Sequence, residues 1–142
     1  MSGTRGARRP APRRRPVTQR WAKTPPEIAD RFQSALPADV RVERRTMFGY
    51  PCAFAGGHMF AGTHEHRIVV RLGPADHATL LAEPGAEPFA PMGRVMREYV
   101  VVPPSVVRRP TALAAWLARG FGFASTLQPR RPRPPARSKR SR

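Results

Sequence analysis

The positive charge of this chain is concentrated at its two ends, and this distribution restricts folding to the middle. Residues 1–24 contain eight Lys and Arg and no acidic residue, and residues 129–142 contain seven and no acidic residue. Residues 25–128 contain the other 11 Lys and Arg and all nine Asp and Glu. The formal net charge of +17 therefore divides into +15 on the ends and +2 on the middle. We predict one near-neutral domain at 25–128 between two cationic arms.

The two arms lack the apolar side chains that a folded core requires. GTRGARRPAPRRRPV and QPRRPRPPARSKRSR consist mainly of Arg, Pro and small residues. Proline removes backbone hydrogen-bond donors and favours extended backbone, and like charges repel along each arm. We therefore predict that residues 1–24 and 129–142 are disordered.

The composition also indicates a compartment. The only cysteine, Cys52, cannot form a disulfide bond within the chain, which is typical of cytoplasmic proteins. No apolar run reaches the roughly 18 residues of a membrane span, and no apolar segment of the kind found in secretory signals follows the basic N-terminus. We expect a cytoplasmic protein without membrane contact.

The first half of the middle domain predicts one helix followed by four strands. Thr24 as N-cap and Pro25 as the first helical residue begin a helix, and its apolar face consists of Ile28, Phe32, Ala35 and Leu36. Strands are predicted at 40–44, with Val40 and Val42 on one face, and at 50–55, 58–61 and 68–72. Gly56-Gly57 suits a two-residue hairpin turn, and 63–67 forms the next turn.

The second half predicts a helix at 74–82, a strand at 98–102 and a helix at 110–127. The last helix has an apolar stripe of Leu113, Trp116, Leu117, Phe121, Ala124 and Leu127. Gly120 and Gly122 lie inside it at a cost of about 1 kcal/mol each, which indicates close packing or a bend. The order α-β-β-β-β-α-β-α predicts an α+β fold, with an antiparallel sheet of about five strands and flanking helices.

Several motifs resemble the TfoX N-terminal domain. They are MFGYPC at 47–52, MFAG at 59–62, RL at 71–72 and GAEPFAPMGRVMREYVVVP at 85–103. The resemblance covers 25–128 and implies a fold similar to the secretion-chaperone-like (YjbR-like) fold. It also implies a non-enzymatic regulatory or adaptor domain without catalytic residues or cofactor. The family takes its name from a bacterial regulator of competence for DNA uptake, so a transcription factor is the protein partner that the resemblance implies.

Cys52, His64 and His66 are the residues that could hold a metal ion or act in catalysis. His64 and His66 are two positions apart, so on a strand they would point to the same face, and Cys52 could add a thiolate ligand. However, no CxxC or HExxH spacing is present. We favour a polar turn with solvated histidines and a Cys52 that packs as a small core residue. A small metal-binding protein remains an alternative.

Arg94, Arg97 and Phe123 are the candidate residues for binding an acidic protein partner. The segment GRVMREY at 93–99 supplies the two arginines, and Phe123 is the residue of the last aromatic stripe that we expect to be most exposed. The alternative, which we favour, is structural: Met92 and Met96 pack inward, Arg97 pairs with a carboxylate and the aromatic stripe belongs to the core.

The arms carry the strongest functional signal, because dense positive charge attracts polyanions. Arginine favours bidentate phosphate contacts, and we expect neither arm to supply aromatic side chains for stacking on single strands. We therefore predict low specificity for DNA or RNA unless the domain adds it. An interaction module for an acidic protein, without nucleic-acid contact, is the alternative. The sequence does not indicate an oligomeric state. The predicted nucleic-acid-binding residues are Arg8, Arg9, Arg13, Arg14, Arg15, Arg130, Arg131, Arg133, Arg137, Lys139 and Arg140.

Overall fold

Helices cover one face of a six-stranded antiparallel sheet in the computed structural model, which describes residues 21–130. The strand order is β1-β2-β3-β4-β6-β5. The predicted α+β class is confirmed. The elements in chain order are α1 (Pro26–Ala35), β1 (Glu43–Met47), β2 (Tyr50–Ala55), β3 (His58–His64), β4 (Arg67–Arg71), α2 (Pro74–Leu81), β5 (Glu87–Pro88), β6 (Tyr99–Val101), α3 (Pro104–Val107) and α4 (Pro110–Thr126).

The main core lies between the helices and one face of the sheet. Alternate strand residues, such as Ile68 and Val70 of β4, share one buried cluster with Phe32 of α1 and with Leu113 and Leu117 of α4. The apolar stripes predicted for the first and last helices are therefore confirmed as core faces, except for Leu127, which follows the end of α4 and lies outside this cluster. The short elements β5 and α3 were not predicted, because two and four residues are too few to show a periodicity.

The strand predicted at 40–44 is wrong in position, because an aspartate turn occupies its first half. The backbone N–H of Arg41 donates to Asp39 Oδ1 at 2.9 Å, and the N–H of Val42 donates to the Asp39 carbonyl at 3.0 Å. Such local side-chain bonds compete with sheet pairing. β1 therefore begins at Glu43, and Val40 is fully exposed (100%) instead of facing the core.

The predicted N-cap of α1 is also wrong. Pro25 occupies the N-cap position, with Pro26 in the first turn. Thr24 turns toward the sheet instead: its hydroxyl donates to the Glu65 carbonyl at 2.7 Å and lies 3.1 Å from the hydroxyl of Thr63. The chain that enters α1 is thereby tied to the turn between β3 and β4.

The two glycines of α4 have different surroundings. Gly120 is buried where the helix crosses the sheet, and a Cβ there would lie 2.6 Å from Val70 Cγ2 and 3.0 Å from the Arg71 carbonyl oxygen. Gly122 is exposed, and a Cβ there would meet nothing within 4 Å. Close packing therefore explains Gly120 alone. Among residues 21–130, no helix combines the length and apolar content needed to cross a membrane, and this includes the 17-residue α4.

We predict opposite effects for alanine at these two positions. Gly120→Ala should lower the free energy of unfolding by about 1–3 kcal/mol, because the added methyl group overpacks the helix–sheet contact. Gly122→Ala should raise it by about 0.5–1 kcal/mol, since alanine loses less backbone entropy in an open helical position. Urea denaturation of both variants measures the difference, and equal effects would contradict the packing described for Gly120.

Candidate functional site

The face of the sheet that points away from the helices forms a second, smaller cluster, which we term the second face. Val69 of β4 and Val101 of β6 stand directly opposite each other and are buried with Phe89 and the half-buried Tyr99. Directly paired residues share a face. The pairing of Cys52 with Gly62, and of Gly62 with Val69, therefore places Cys52 on the second face as well.

His64 lies at the centre of an aromatic cluster on this face. Its ring centroid is 4.7 Å from that of Trp21, 5.3 Å from Tyr50 and 5.4 Å from Phe89. Only 8% of the residue is exposed, so the prediction of a solvated His64 is wrong. The reason is that β3 continues to His64 and the turn is reduced to Glu65-His66, which leaves only His66 in solvent.

Burial determines the protonation of His64. Desolvation is the main cause that lowers its pKa, the Arg67 charge lowers it further and the Glu65 charge opposes the shift. The imidazole is therefore neutral near pH 7. Its Nε2 atom is buried and has no hydrogen-bond partner among residues 21–130, so the hydrogen-bonding capacity of this nitrogen is unused within the described part of the chain.

Trp21 is held in place by two hydrogen bonds of the next residue, Ala22. The Ala22 N–H donates to Glu65 Oε2 at 2.9 Å, and the Tyr50 hydroxyl donates to the Ala22 carbonyl at 2.6 Å. The bond from Ala22 is the main cause that lowers the pKa of Glu65, followed by the bond from Arg67. Residues 21–24, predicted as part of the disordered arm, thus pack on the sheet.

Glu65 adopts an uncommon backbone conformation, with φ at 57°. A non-glycine residue in this left-handed region is normally disfavoured. Here Arg67 donates to its Oε1 at 2.9 Å, in addition to the bonds from Ala22 and Thr24. Contacts with the segment before α1 therefore stabilise the turn that brings His64 under Trp21.

A cavity of about 310 Å³ opens beside this cluster. Trp21 and Phe89 supply aromatic walls, His64 supplies the buried imidazole, and Arg67 and Glu87 supply opposite charges. A second cavity of about 410 Å³ lies between α1, α3 and the sheet, and Arg67 and Glu87 line it too. The cavity next to Trp21 combines flat aromatic surface with polar groups and is the candidate binding site.

The structure does not assemble the metal set of Cys52, His64 and His66. His66 lies in an exposed turn, and the Cys52 thiol is 3.5 Å from the Arg45 carbonyl, to which it donates. Burial raises the pKa of the Cys52 thiol, so it stays protonated at neutral pH. Within residues 21–130 there is no group of three or more His, Cys, Asp or Glu that could hold a metal ion.

The predicted partner-binding residues occupy different surroundings. Arg94 and Arg97 are exposed in the loop that precedes β6, and the ion pairs within the described part of the chain do not include Arg97. Met92 and Met96 are 70% and 39% exposed, so the expectation that they pack inward is wrong. Phe123 is half-buried on α4, where the Arg71 guanidinium lies 5.7 Å from its ring centroid.

Of the predicted nucleic-acid-binding residues, the structure describes only Arg130. This residue is exposed, and its backbone N–H donates to the Gly56 carbonyl at 2.8 Å. His58 fixes the same segment through a 2.7 Å hydrogen bond from Nε2 to the Gln128 carbonyl. The remaining predicted residues lie outside the described range: Arg8, Arg9, Arg13, Arg14, Arg15, Arg131, Arg133, Arg137, Lys139 and Arg140.

The first and last described residues, where the predicted arms join the domain, lie at opposite ends of β2. Trp21 contacts Tyr50, the first residue of this strand, whereas Arg130 bonds to Gly56, directly after its last residue. A strand of six residues is about 20 Å long. The described chain therefore begins and ends about one strand length apart.

Sequence reasoning missed Trp21 and Phe89 as site residues. A signal was available for Trp21, because it is the only aromatic residue among residues 1–24. For Phe89 the local sequence offers no such signal, since the residue reaches His64 only through the pairing of β5 with β6.

Comparison with known families gives one match. The family model of the TfoX N-terminal domain matches residues 30–124. No curated protein and no solved structure matches the chain. The matched range includes β1 to β6 and His64, but it begins after Trp21, so the family model does not cover the aromatic residue that closes the candidate site.

Stability should fall on acidification because of His64. Its folded-state pKa lies below the ordinary 6.5, so the unfolded chain takes up the proton first, and stability is lost as the pH falls through 6.5 toward the folded pKa. Between about pH 7.5 and pH 5, the fall in the urea midpoint should be smaller in His64→Phe than in the native protein. His66→Gln, in the exposed turn, is the control and should keep the native fall. Equal falls in the native protein and His64→Phe would contradict this account.

Proposed function

This chain belongs to the TfoX N-terminal domain family, and we propose on that premise a non-enzymatic regulatory or adaptor role in the cytoplasm. In this proposal the cationic arms attract DNA or RNA without reading its sequence. One observation carries it: the arms hold +15 of the net charge of +17. The domain itself is close to neutral, so attraction to a polyanion follows the arms.

Counterion release provides the binding free energy. Each phosphate that an arginine or lysine neutralises frees condensed cations, and the logarithm of the binding constant then falls with the logarithm of the salt concentration by about 0.9 per contact on duplex DNA. The arms contain mainly arginine, whose planar guanidinium forms bidentate contacts with phosphate oxygens.

The distance between the two points at which the arms join the domain suits a long polyanion better than a small one. These points, Trp21 and Arg130, lie about 20 Å apart along β2, which corresponds to about six base pairs of duplex. Both arms can thus contact phosphates on either side of the domain. A transcription factor bound to the same nucleic acid is the protein partner in this proposal, because the family resemblance implies one.

A second candidate function is binding of an acidic protein through the domain surface, without nucleic-acid contact. Exposed apolar side chains support it: Phe48 is 82%, Met92 70% and Val95 55% exposed. Arg94 and Arg97 are exposed in the same loop as Met92 and Val95. Apolar contacts flanked by unpaired positive charge are typical of surfaces that bind acidic amphipathic segments.

The arms should determine both the affinity for a duplex and its salt dependence. We expect that replacing five arginines with glutamine reduces the slope of log binding constant against log salt concentration by about 0.9 for each phosphate contact removed. The five positions are Arg8, Arg9, Arg13, Arg14 and Arg15. Lysine at the same five positions should keep most of the slope, because it preserves the charge. Fluorescence anisotropy of a labelled duplex of about 20 base pairs, titrated with full-length protein at several salt concentrations, gives both quantities.

Substitutions on the domain surface distinguish the two candidate functions. The double variant Arg94→Gln with Arg97→Gln is the matched control and should keep duplex affinity within about twofold of the native value, since both residues lie on the near-neutral domain. A larger loss from this variant than from the arm variant would move the site to the domain surface. Absence of binding by the native protein at moderate salt would contradict the proposed function and favour an acidic protein partner.

A further inference from the structure

The cavity beside Trp21 has three aromatic rings in its lining, those of Trp21, His64 and Phe89. Both Trp21 and Phe89 stand nearly perpendicular to the His64 imidazole, at 74° and 71°. Both also line the cavity of about 310 Å³, a volume at the lower end of the range of about 300–1,000 Å³ for small-ligand pockets. Phe89 is only 7% exposed, whereas Trp21 is half-buried, so Trp21 supplies the aromatic surface on which a planar group can stack.

The polar groups of the cavity match the edge of a nucleobase. The Nε2 atom of His64 is buried without a hydrogen-bond partner among residues 21–130, and the imidazole is neutral. Glu87 offers carboxylate oxygens, and Arg67 offers guanidinium donors while Glu65 holds it at 2.9 Å. Base edges present hydrogen-bond donors and acceptors side by side, so one acceptor, one donor and one imidazole suit them.

The place of the cavity in the chain points to the same ligand. Trp21 directly follows Arg20, the last arginine of the N-terminal arm. The phosphate-binding arm is therefore adjacent in sequence to the aromatic residue of the cavity. Lys23 adds a further positive charge two residues after Trp21.

We infer that this cavity binds one unstacked base of a single-stranded nucleic acid, against Trp21 and over His64. The inference rests on the proposed function, because the arms supply the phosphate contacts that deliver the strand. It names single-stranded nucleic acid as the ligand class, since bases in a duplex are stacked and cannot enter a side pocket without being extruded. Stacking on an aromatic side chain tolerates every base, so little sequence preference is expected.

Two oligomers with equal charge but different base content test this inference. One is an oligothymidylate of about 12 nucleotides, and the other is an abasic oligomer of the same length and phosphate number. Full-length protein should bind the oligothymidylate about 5- to 150-fold more tightly, which is the usual effect of one stacked base. The salt slopes of the two oligomers should agree, since the arms make the same phosphate contacts with both.

Substitution of the aromatic wall assigns the difference to the cavity. Trp21→Leu should bring the affinity ratio of the two oligomers close to one without changing the salt slope, and Trp21→Phe should keep most of the ratio. Trp116→Leu is the control, because Trp116 lies half-buried on α4 beside Arg119. In Trp116→Phe, Trp21 is the only tryptophan left, and its fluorescence should be quenched by the oligothymidylate and not by the abasic oligomer.

Each other outcome overturns the inference in a distinguishable way. Equal, salt-dependent binding of both oligomers by the native protein would overturn base binding and leave the proposed function intact. An equal loss of affinity for both oligomers in Trp21→Leu would show that Trp21 acts only in packing. Absence of binding to either oligomer or to duplex at moderate salt would overturn both proposals.

Discussion

A β-sheet has two faces, and in this protein the helices cover only one of them. The other face carries Cys52, His64 and Val69, and it is shielded by Trp21 from the segment before α1 and by Phe89 from β5–β6. Without this cover the apolar surface of the central strands would meet water, at about 25 cal/mol per Å². The buried imidazole, the lowered pKa of His64 and the cavity beside it all depend on this arrangement.

The same contacts join the charged arm to the domain. Ala22 bonds to Glu65 and to Tyr50, and it lies two residues after Arg20 in the sequence. The C-terminal arm is fixed in a similar way, through the bond from the Arg130 N–H to Gly56. In the function proposed above, the domain sets the separation between two polyanion-binding arms, and the aromatic cavity stands where one of them begins.

Elements whose pattern is local could be predicted from the sequence. A short apolar run before Gly56-Gly57 identifies β2, β-branched residues identify β4, and the apolar stripe identifies α4. The prediction failed where a side chain redirects the backbone, as at Asp39, or where the outcome depends on distant residues. His64 looks like part of a polar turn, because its burial requires Glu65 at positive φ and a tryptophan 43 positions earlier along the chain. The family resemblance predicts the fold class, but it does not predict these contacts.

Detection of the contact between Trp21 and His64 in solution tests the covered second face most directly. We would record nuclear Overhauser effects between the indole protons of Trp21 and the imidazole protons of His64 in full-length protein, with Trp116 as the internal reference. The 4.7 Å separation of the ring centroids predicts clear cross-peaks for Trp21 and none for Trp116. A Trp21 indole with the chemical shifts of an unfolded peptide and no cross-peak to His64 would contradict the covered second face and the site built on it.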